Sequence, residues 1–496
     1  MNITEREQNS VTVFTMDGRI DSEGATAVEA ALHAAVAAGK IRMVLDMDGV
    51  TYISSAGLRI LADVLTRFYN FEIPPFNDFN AAISFFQTEI PHIAGGLKEK
   101  IETAHRENRA FQSAFAGFMD LCRTALNPNI RKEAVDEMLI QHLLTERLIR
   151  RVFDVAEFTQ RNVIAAEIEK VIAALSSQHF NRAQFLGGLD HVYRAIETAA
   201  DEVESFTDKQ RFLNTVYERF FQGYSVKVAD THGIVYTPQE IVDFMCAAVE
   251  EVLHDHFDLH LGDPAVKLID PCTGTGNFVV NLLNRVDARD LDRFYKEQLF
   301  ANEVMLMPYY IASLNIEHAY YERSGRYLPF EGISFVDTLD LAEGRQLAMF
   351  TEANTARVKR QKAAEINVII GNPPYNVGQI NENDNNKNRV YKVVDGRVRE
   401  TYVRDSAATN KNALFDAYVK FFRWATDRLG ERDGVVCFVT NNGFIDGVAF
   451  DGMRKHLMQD FDSIYVVDLK GNVRKDSMRD GIPIGAEHTI FGLAAA

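Results

Sequence analysis

The stretch "INVIIGNPPYNVG", residues 366–378, places four residues that can do chemistry directly after an apolar run: Asn372, Pro373, Pro374 and Tyr375. The β-branched run before Asn372 predicts a strand that is buried on both faces. Two consecutive prolines cannot continue a sheet ladder, so the strand must end there and a loop with a nearly fixed backbone must follow. Such a loop can aim an amide, a carbonyl and an aromatic ring at a substrate.

A second stretch, "VKLIDPCTGTGNFVVNLL", covers residues 266–283. A short apolar strand ends at Asp270, and Gly274 and Gly276 then make a tight turn into an apolar helix, where backbone N–H groups can meet a ligand. The spacing is not GxGxxG, and GxxxxGK[ST] does not occur in the chain, so a phosphate-binding loop is disfavoured. Asp270 would repel phosphate, and it suits a cofactor that carries a cationic ammonium group.

Together these stretches resemble the cofactor motif and the catalytic motif of S-adenosylmethionine-dependent amino-methyltransferases, in the order found in adenine-N6 DNA methyltransferases. The resemblance implies S-adenosylmethionine as the cofactor. It implies cofactor contacts from Asp270, Pro271, Thr273, Gly274, Gly276 and Phe278. It implies catalytic roles for Asn372, Pro373, Pro374 and Tyr375. The Asn372 amide oxygen and the Pro373 carbonyl would accept hydrogen bonds from the adenine amine, and Tyr375 would stack on the flipped base.

The same resemblance places three further cofactor contacts. Thr237, in "VYTPQEIVDFM", matches an element that touches the methionine carboxylate of the cofactor. Glu303, at the end of "LFANE", matches the acceptor of the ribose hydroxyls, and Asp337, in "ISFVDTL", matches the position that meets the adenine amino group. A helix-start carboxylate at Glu303 and ordinary turn chemistry at Asp337 are the alternatives.

The elements that must position these residues fall into zones. Residues 1–69 alternate strand and helix patterns, residues 70–80 form a proline-containing linker, and residues 81–225 have helical spacing throughout. Residues 226–496 alternate again and include a predicted strand "SIYVVDL" at 463–469. The predicted fold is α/β: a Rossmann-like methyltransferase sheet, preceded by an α-helical domain and a small, partial α/β segment.

The helical and catalytic zones together, residues 75–496, resemble the methylase portion of single-polypeptide type ISP restriction-modification enzymes. This implies double-stranded DNA as the partner. The chain stops soon after its last predicted strands, so we expect that it lacks a C-terminal target-recognition domain. Specificity would then lie on a separate specificity polypeptide or on a nuclease/helicase polypeptide.

The first zone is similar to the STAS domain of anti-sigma-factor antagonists, through "GRIDSEGATAVEAAL" and "VLDMDGVTYISSAGLRIL". That family is switched by serine phosphorylation. Where it often has Ser-Ser-Gly this chain has Ser55-Ala56-Gly57, so only Ser54 or Ser55 can be the switch, at a helix start that favours phosphate. The family's last strand and helix have no counterpart, so we expect a truncated segment with an open sheet edge.

The charge of the chain is uneven. A formal net charge of −17 over 496 residues argues against non-specific nucleic-acid binding by the whole surface. Residues 387–411 reverse this balance and interleave basic residues with Tyr391 and Tyr402, a combination of phosphate contacts and stacking platforms. A solvated loop is the alternative. The predicted DNA contacts are Lys387, Arg389, Lys392, Arg397 and Arg399.

Other features narrow the class of protein. The sequence shows no secretory signal and no apolar run long enough to span a bilayer, which predicts a cytoplasmic location without a membrane partner. Its four cysteines are scattered without a CxxC pair, so we expect reduced thiols and no metal site.

Two other functions fit parts of the sequence. The same four catalytic residues would suit a methyltransferase that acts on a protein glutamine or on an RNA base. A regulatory binding protein, in which the STAS-like segment is active and the methylase is a remnant, belongs to a different class. The intact glycine turn and Asn372 motif favour an enzyme, and the helical zone and the basic stretch favour DNA in restriction-modification.

Overall fold

The computed structural model describes residues 2–8, 11–37, 43–54, 79–126, 130–152, 161–176, 180–187, 190, 193–194, 197–198, 237–342, 352–374, 390–469, 478–479 and 482–483. The chain separates into two compact units, Met1–Asn77 and Asp78–Ala496. A helix begins at Phe79, inside the predicted linker. The boundaries predicted at residues 69, 80 and 225 stay predictions.

The first unit is a small sheet with one helix. Its elements are β1 (Asn2–Gln8), β2 (Val11–Ile20), α1 (Ser22–Ala37) and β3 (Met43–Ile53). Strand β2 lies in the middle, antiparallel to β1 and parallel to β3. Alternation along β2 turns Phe14 and Met16 to the face where Val28 and Leu32 of α1 pack, and all four side chains are buried. This face is the core of the unit.

The predicted strand-helix-strand order is therefore present, with one strand that the sequence did not reveal. Strand β1 is mostly polar and exposed, so it lacks the apolar alternation that marks a strand. The second predicted helix and Ser55 lie outside the described residues. Ser54 follows β3, and its backbone N–H donates to the Ile20 carbonyl at 2.9 Å. Its role as a phosphorylation switch stays a prediction.

The second unit begins with helices, as the sequence predicts: α2 (Phe79–Glu107), α3 (Arg109–Ala125), α4 (Lys132–Val152), α5 (Val163–Ser176) and α6 (Arg182–Leu186). Asn108 shows how they are joined. Its side-chain oxygen accepts from the Phe111 N–H and caps α3, while its amide donates to the Ala174 carbonyl of α5 at 3.0 Å. Among the described helices, none combines the length and apolar character needed to cross a lipid bilayer.

A parallel sheet follows. Its elements, with the surrounding helices, are α7 (Gln239–Phe257), β4 (Leu268–Asp270), α8 (Asn277–Arg285), α9 (Leu291–Arg293), β5 (Leu299–Glu303), α10 (Leu306–Ser324), β6 (Ile333–Phe335), α11 (Thr338–Leu341), α12 (Glu352–Ala363), β7 (Val368–Gly371), α13 (Lys392–Val398), α14 (Ala417–Leu429), β8 (Val435–Phe438), α15 (Gly443–Asp446) and α16 (Asp451–Asp460). Short π-helical turns at Phe294–Gln298 and Arg399–Val403, and 3₁₀ turns at Asn412–Phe415 and Val448–Phe450, complete the list.

The described strands pair in the order β6-β5-β4-β7-β8, and every pair is parallel. The chain moves outward from β4 to β5 and β6, and then returns to the other side of β4 as β7. The order therefore reverses between β4 and β7, and in open α/β sheets ligands bind at the carboxyl ends of the strands at such a point. Strands β4 to β7 are buried throughout, as their apolar runs predict.

The prediction of a strand at residues 463–469 is wrong. Residues 461–469 have no regular secondary structure, and the side chains of Ile464–Val467 are 49–70% exposed. A β-branched run has the propensity for a strand, but it becomes one only when its backbone pairs with a neighbouring strand. Within the described residues the sheet ends at β8, which is only half-buried. A separate short antiparallel pair joins Met478–Arg479 to Ile482–Pro483.

A buried histidine joins the helical part to the sheet part of this unit. His142 of α4 is fully buried, with Nε2 2.8 Å from the Glu169 carboxylate and Nδ1 3.0 Å from the Tyr310 hydroxyl of α10. Burial raises the pKa of Glu169, but hydrogen bonds and charges from His142 and Arg182 outweigh it and lower that pKa to about 2. An ionised carboxylate only accepts, so Nε2 carries the proton.

Replacing this histidine should loosen the contact. In His142→Phe, Glu169 and the Tyr310 hydroxyl each lose one hydrogen bond, and such a bond contributes about 0.5–1.5 kcal/mol, or about 1.5–3 kcal/mol when one group is charged. We expect a lower thermal midpoint and faster hydrogen exchange in both α4 and α10. The matched control is His318→Phe on α10, whose side chain is 31% exposed. Equal midpoints for the two variants would contradict the proposed contact.

Candidate active site

The carboxyl ends of β4 and β7 meet at the point where the strand order reverses. Asp270 ends β4 and Gly371 ends β7, and the strands pair through Leu268 with Val368 and Ile269 with Ile369. A Cβ atom at Gly371 would lie 2.7 Å from the Asp270 Oδ1 atom. Only glycine allows this approach, and it brings the following residue, Asn372, beside the buried carboxyl group.

The Asn372 amide is held by a hydrogen bond at its nitrogen end, and its oxygen end has no partner among the described residues. Its Nδ2 atom donates to the Thr237 Oγ1 atom at 3.1 Å. Its Oδ1 atom is buried and has no hydrogen-bond partner among the described residues. Pro373 is buried and Pro374 is half-buried, whereas Tyr375 lies outside the described residues. The structure thus places the predicted catalytic asparagine one residue after the close approach of Gly371 to Asp270, and its chemical role stays a prediction.

The glycine loop connects β4 to α8. The Cys272 N–H donates to Asp270 Oδ1 at 3.0 Å, and the Thr273 hydroxyl donates to the Asp270 carbonyl at 3.1 Å. Gly274 and Gly276 have φ angles of +55° and +91°, in the left-handed region that favours glycine. Helix α10, which follows the neighbouring strand β5, supports the loop: the Asn315 Nδ2 atom donates to the Thr275 carbonyl at 2.8 Å.

The two glycines should respond differently to alanine. A Cβ at Gly276 would lie 3.2 Å from the Ala312 Cα atom, whereas a Cβ at Gly274 meets no described atom within 4 Å. Left-handed strain costs about 1–2 kcal/mol at either site. We expect Gly276→Ala to lower the thermal midpoint further than Gly274→Ala, and Gly274→Ala to weaken cofactor binding in titration calorimetry because its methyl group projects into open space. Equal losses of stability would contradict this assignment.

Two carboxyl groups near the loop, Asp270 and Glu303, are buried and have no cationic partner among the described residues. Burial raises the pKa of Asp270 to about 8; the Cys272 N–H opposes the shift, and the Glu303 charge adds to it. The Asp270 Oδ2 atom is buried and, within the described residues, has no hydrogen-bond partner. Burial also raises the pKa of Glu303 to about 7 against three backbone N–H groups. Such a pair favours a positively charged ligand.

Glu303 is tied to the glycine loop. Its Oε2 atom accepts from the Gly274 N–H at 2.8 Å, and its Oε1 atom accepts from the N–H groups of Val304 and Met305 at 2.9 and 2.7 Å. A carboxylate has about four acceptor positions, so one remains. Glu303 is therefore both a helix-start carboxylate, the alternative that the sequence left open, and a group able to accept from a ligand.

Both carboxylate oxygens of Asp337 also accept hydrogen bonds from other residues of the chain. Its Oδ1 atom accepts from the N–H groups of Leu339 and Asp340 and caps α11, and its Oδ2 atom accepts from the Tyr391 hydroxyl at 2.8 Å. Tyr391 is 4% exposed and Tyr402 is fully buried. The interpretation of these tyrosines as stacking platforms for nucleic acid is therefore wrong, because both rings belong to the core.

The remaining predicted cofactor contacts have structural partners. The Pro271 carbonyl accepts from the Thr338 hydroxyl at 2.7 Å, and the Phe278 ring is buried at the start of α8. Thr338 was not predicted, and neither was Asn302, whose amide donates to the Thr338 hydroxyl and whose carbonyl accepts from the Thr273 N–H at 3.0 Å. The one available signal was the polar Asn302, which follows three apolar residues of β5.

The basic residues predicted to contact DNA divide into three groups. Lys387 and Arg389 lie outside the described residues. Arg397 forms a two-pronged ion pair with Asp427, at 3.0 and 2.9 Å, which neutralises its charge. Lys392 and Arg399 are exposed, and no described carboxylate lies within ion-pair distance of either. Of the described candidates, Lys392 and Arg399 are therefore the better placed to meet phosphate.

Parallel strand order, a glycine loop after the central strand and acidic residues at the strand ends define a Rossmann-like methyltransferase fold. The sequence model of the family named N-6 DNA Methylase matches residues 208–473. The chain belongs to the N-6 DNA Methylase family. Two further families match: the coupler domain of type ISP restriction-modification enzymes over residues 84–208, and the STAS domain over residues 2–70. The resemblances seen in the sequence are confirmed.

Solved structures extend the similarity. The protein chain in the DrdV–DNA complex is 37% identical to this chain. The match covers 94% of this chain and 46% of the DrdV chain, with a TM-score of 0.75. A nuclease-deletion mutant of the type ISP enzyme LlaGI, with a DNA substrate mimic, is 31% identical over 84% of this chain and 33% of its own, with a TM-score of 0.70. The ATP-dependent type ISP enzyme LlaBIII, bound to DNA, is 32% identical to this chain. The match covers 83% of this chain and 29% of LlaBIII, with a TM-score of 0.69.

The chain thus spans less than half the length of each of these relatives. A search of curated proteins found no match. Within this chain, the coupler and methylase family models together span residues 84–473.

Proposed function

We propose that this chain is the catalytic core of an adenine-specific DNA methyltransferase that uses S-adenosylmethionine in restriction-modification. The observation that carries the proposal is the buried Asn372 Oδ1 atom, which has no hydrogen-bond partner among the described residues; Asn372 directly follows Gly371, whose backbone closely approaches the Asp270 carboxyl group at the carboxyl edge of the sheet. Membership in the N-6 DNA Methylase family supports this reaction. The similar DrdV, LlaGI and LlaBIII structures are complexes with DNA or a DNA mimic, which supports DNA as the substrate.

The residues present fit the cofactor. Asp270 has a buried oxygen without a partner among the described residues and a raised pKa, so it gains from a cation such as the ammonium group of S-adenosylmethionine. Glu303 retains one acceptor position for a ribose hydroxyl. A side chain at Gly274 would meet no described atom within 4 Å, so glycine keeps that space free for a ligand. When bound, S-adenosylmethionine supplies an electrophilic methyl group on a sulfonium.

Asn372 and Pro373 would receive the adenine amine. The lone pair of this amine is delocalised into the ring, so removal of a proton by a simple base does not activate it. Acceptors around its two N–H groups favour a tetrahedral nitrogen whose lone pair can attack, and the Asn372 oxygen and the Pro373 carbonyl supply two. An amide accepts without adding a second buried charge beside Asp270.

DNA binding would use the exposed cations. Lys392 and Arg399 are suited to phosphate oxygens, and such contacts position a duplex without reading its sequence. The target adenine must leave the stack to reach a buried acceptor, and we propose that Tyr375 stacks on the flipped base. A protein with this substrate would work in the compartment that contains DNA, which supports the cytoplasmic location.

A methyl-transfer assay tests the function. The full chain is incubated with isotope-labelled S-adenosylmethionine and, separately, unmethylated duplex DNA, RNA and a release factor. We expect label in DNA, recovered after digestion as N6-methyldeoxyadenosine, and none in a duplex that contains only guanine and cytosine. Label on RNA or on the release factor, with none on DNA, would refute the proposed substrate.

A further inference from the structure

One polar contact near the proposed reaction centre joins two distant parts of the chain. The Asn372 Nδ2 atom donates to the Thr237 Oγ1 atom at 3.1 Å, across a separation of 135 residues. Thr237 is 7% exposed. The contact therefore joins a buried threonine to a half-buried asparagine within the folded unit.

The backbone is restricted at both partners, Thr237 and Asn372. Thr237 precedes Pro238, the residue that caps α7, and a following proline restricts the backbone of the residue before it. Helix α7 is anchored in turn, because Cys246 approaches the Phe278 carbonyl of α8 at 3.9 Å. Asn372 follows the buried strand β7 and also precedes a proline. The distance between the hydroxyl and the amide is thus set by the fold rather than by a mobile loop.

The orientation of the Asn372 amide matters for chemistry. Its two ends are similar in shape, but the oxygen accepts hydrogen bonds and the nitrogen donates them. With Nδ2 bound to Thr237, the oxygen is the end that lacks a partner among the described residues. A reversed amide would present N–H groups to the N–H groups of a substrate amine, an arrangement that repels.

We propose that Thr237 is a positioning residue whose hydroxyl accepts from Asn372 Nδ2 and keeps the amide oxygen turned toward the substrate amine. The proposal rests on the proposed function, because it needs a substrate amine at Asn372. It gives the Thr237 hydroxyl a task that differs from the cofactor contact implied by the family resemblance. The two tasks separate in kinetics, since a positioning role acts on kcat and a cofactor contact acts on cofactor affinity.

The kinetic test compares two variants at Thr237 and one control variant of the full chain, with labelled S-adenosylmethionine and unmethylated duplex DNA. Thr237→Val keeps the shape and removes the hydroxyl, and Thr237→Ser keeps the hydroxyl. We expect Thr237→Val to lower kcat roughly 10- to 100-fold, since a misplaced catalytic group costs about that much. The cofactor Kd from calorimetry should stay within about threefold, and Thr237→Ser should retain most of the activity.

The matched control is Thr426→Val. Thr426 is 8% exposed, and its hydroxyl donates to the Phe422 carbonyl within its own helix at 2.9 Å. The control should transfer methyl groups like the wild type. If Thr237→Val weakens cofactor binding and leaves kcat unchanged, the hydroxyl belongs to the cofactor and the positioning role is overturned.

A thermal double-mutant cycle tests the contact without any methyl transfer. Thr237→Val should lower the midpoint by roughly 2–4 °C in the wild type, because the Asn372 Nδ2 atom loses its acceptor, the Thr237 Oγ1 atom. The same substitution should have almost no effect in an Asn372→Ala background. Additive shifts would overturn the proposal on any substrate. Transfer to RNA or protein instead of DNA would refute the proposed function alone, and the kcat comparison would then use that substrate.

Discussion

Asn372→Ala should reduce methyl transfer to DNA by about 10³-fold while the cofactor Kd stays within a few-fold of the wild type. The size follows from removing one preorganised hydrogen-bond partner of the reacting group, which typically costs 10²–10³-fold, together with the loss of orientation. The cofactor should be spared because Asp270, Glu303 and the glycine loop are untouched. Single-turnover transfer of labelled methyl groups, with calorimetry for the cofactor, measures both quantities.

Asn367→Ala is the matched control for this variant. Asn367 is half-buried just before the opposite end of β7, where its Oδ1 atom accepts from the Lys267 N–H and its Nδ2 atom donates to the Ala265 carbonyl, both at 2.8 Å. Its removal should cost stability and leave transfer intact. Full activity in Asn372→Ala would mean that the amide does not handle the substrate, and the proposed mechanism would be wrong.

Cofactor binding should release a proton near neutral pH, and Asp270→Asn should abolish most of that release. The pKa of Asp270 is raised to about 8, so at pH 7 the carboxyl group of the cofactor-free chain is mainly protonated. A bound ammonium group favours the ionised form, and the proton leaves. Apparent affinity should therefore rise as the pH increases from 6 toward 8. Calorimetry in buffers of different ionisation enthalpy counts the protons.

Stability should follow the opposite trend. The folded-state pKa values of Asp270 and Glu303, about 8 and about 7, lie above those of the unfolded chain, so the folded state holds protons that the unfolded state has lost. The free energy of unfolding of the cofactor-free chain should decrease as the pH rises through the window between about 4 and 8. Asp270→Asn should flatten this dependence.

The Asp270→Asn variant should also lose cofactor affinity, and it has a matched control. Loss of a buried charged partner typically costs 2–5 kcal/mol, so cofactor affinity at pH 8 should fall by about 30-fold or more. The control is Asp292→Asn, since hydrogen bonds from Tyr320 and Arg326 lower the pKa of Asp292 to about 2 and it is ionised throughout. Proton release that persists in Asp270→Asn and disappears in Asp292→Asn would contradict the assignment.

Local sequence was sufficient for the parts of the site whose chemistry depends on neighbouring residues. The apolar run before Asn372 predicted the buried strand β7, and the spacing of Gly274 and Gly276 predicted the turn into α8. These predictions succeeded because a β-branched run, a proline pair and a left-handed glycine each restrict the backbone within a few residues. The alternating pattern of residues 226–496 likewise predicted a parallel sheet covered by helices.

Tertiary contacts decided the rest. No local pattern indicates that Thr237 holds the Asn372 amide, that Tyr391 donates to Asp337, or that the hydrogen bonds of Arg397 go to Asp427. Each of these contacts joins residues far apart in the chain, and the burial of Tyr391 depends on which helices cover it. The exposed run Ile464–Val467 shows the same limit, since its composition favours a strand and only pairing with a neighbour could make it one.

The sequence by itself determined which groups are available for chemistry: an amide on a stiff loop, two glycines after a strand, and carboxylates at strand ends. The tertiary structure alone decided how those groups are held and charged. It brings the ends of β4 and β7 together at the reversal of strand order, and it buries Asp270 enough to raise its pKa to about 8. The physical reason is that residue type sets hydrogen-bonding capacity, whereas burial and partners set orientation and protonation.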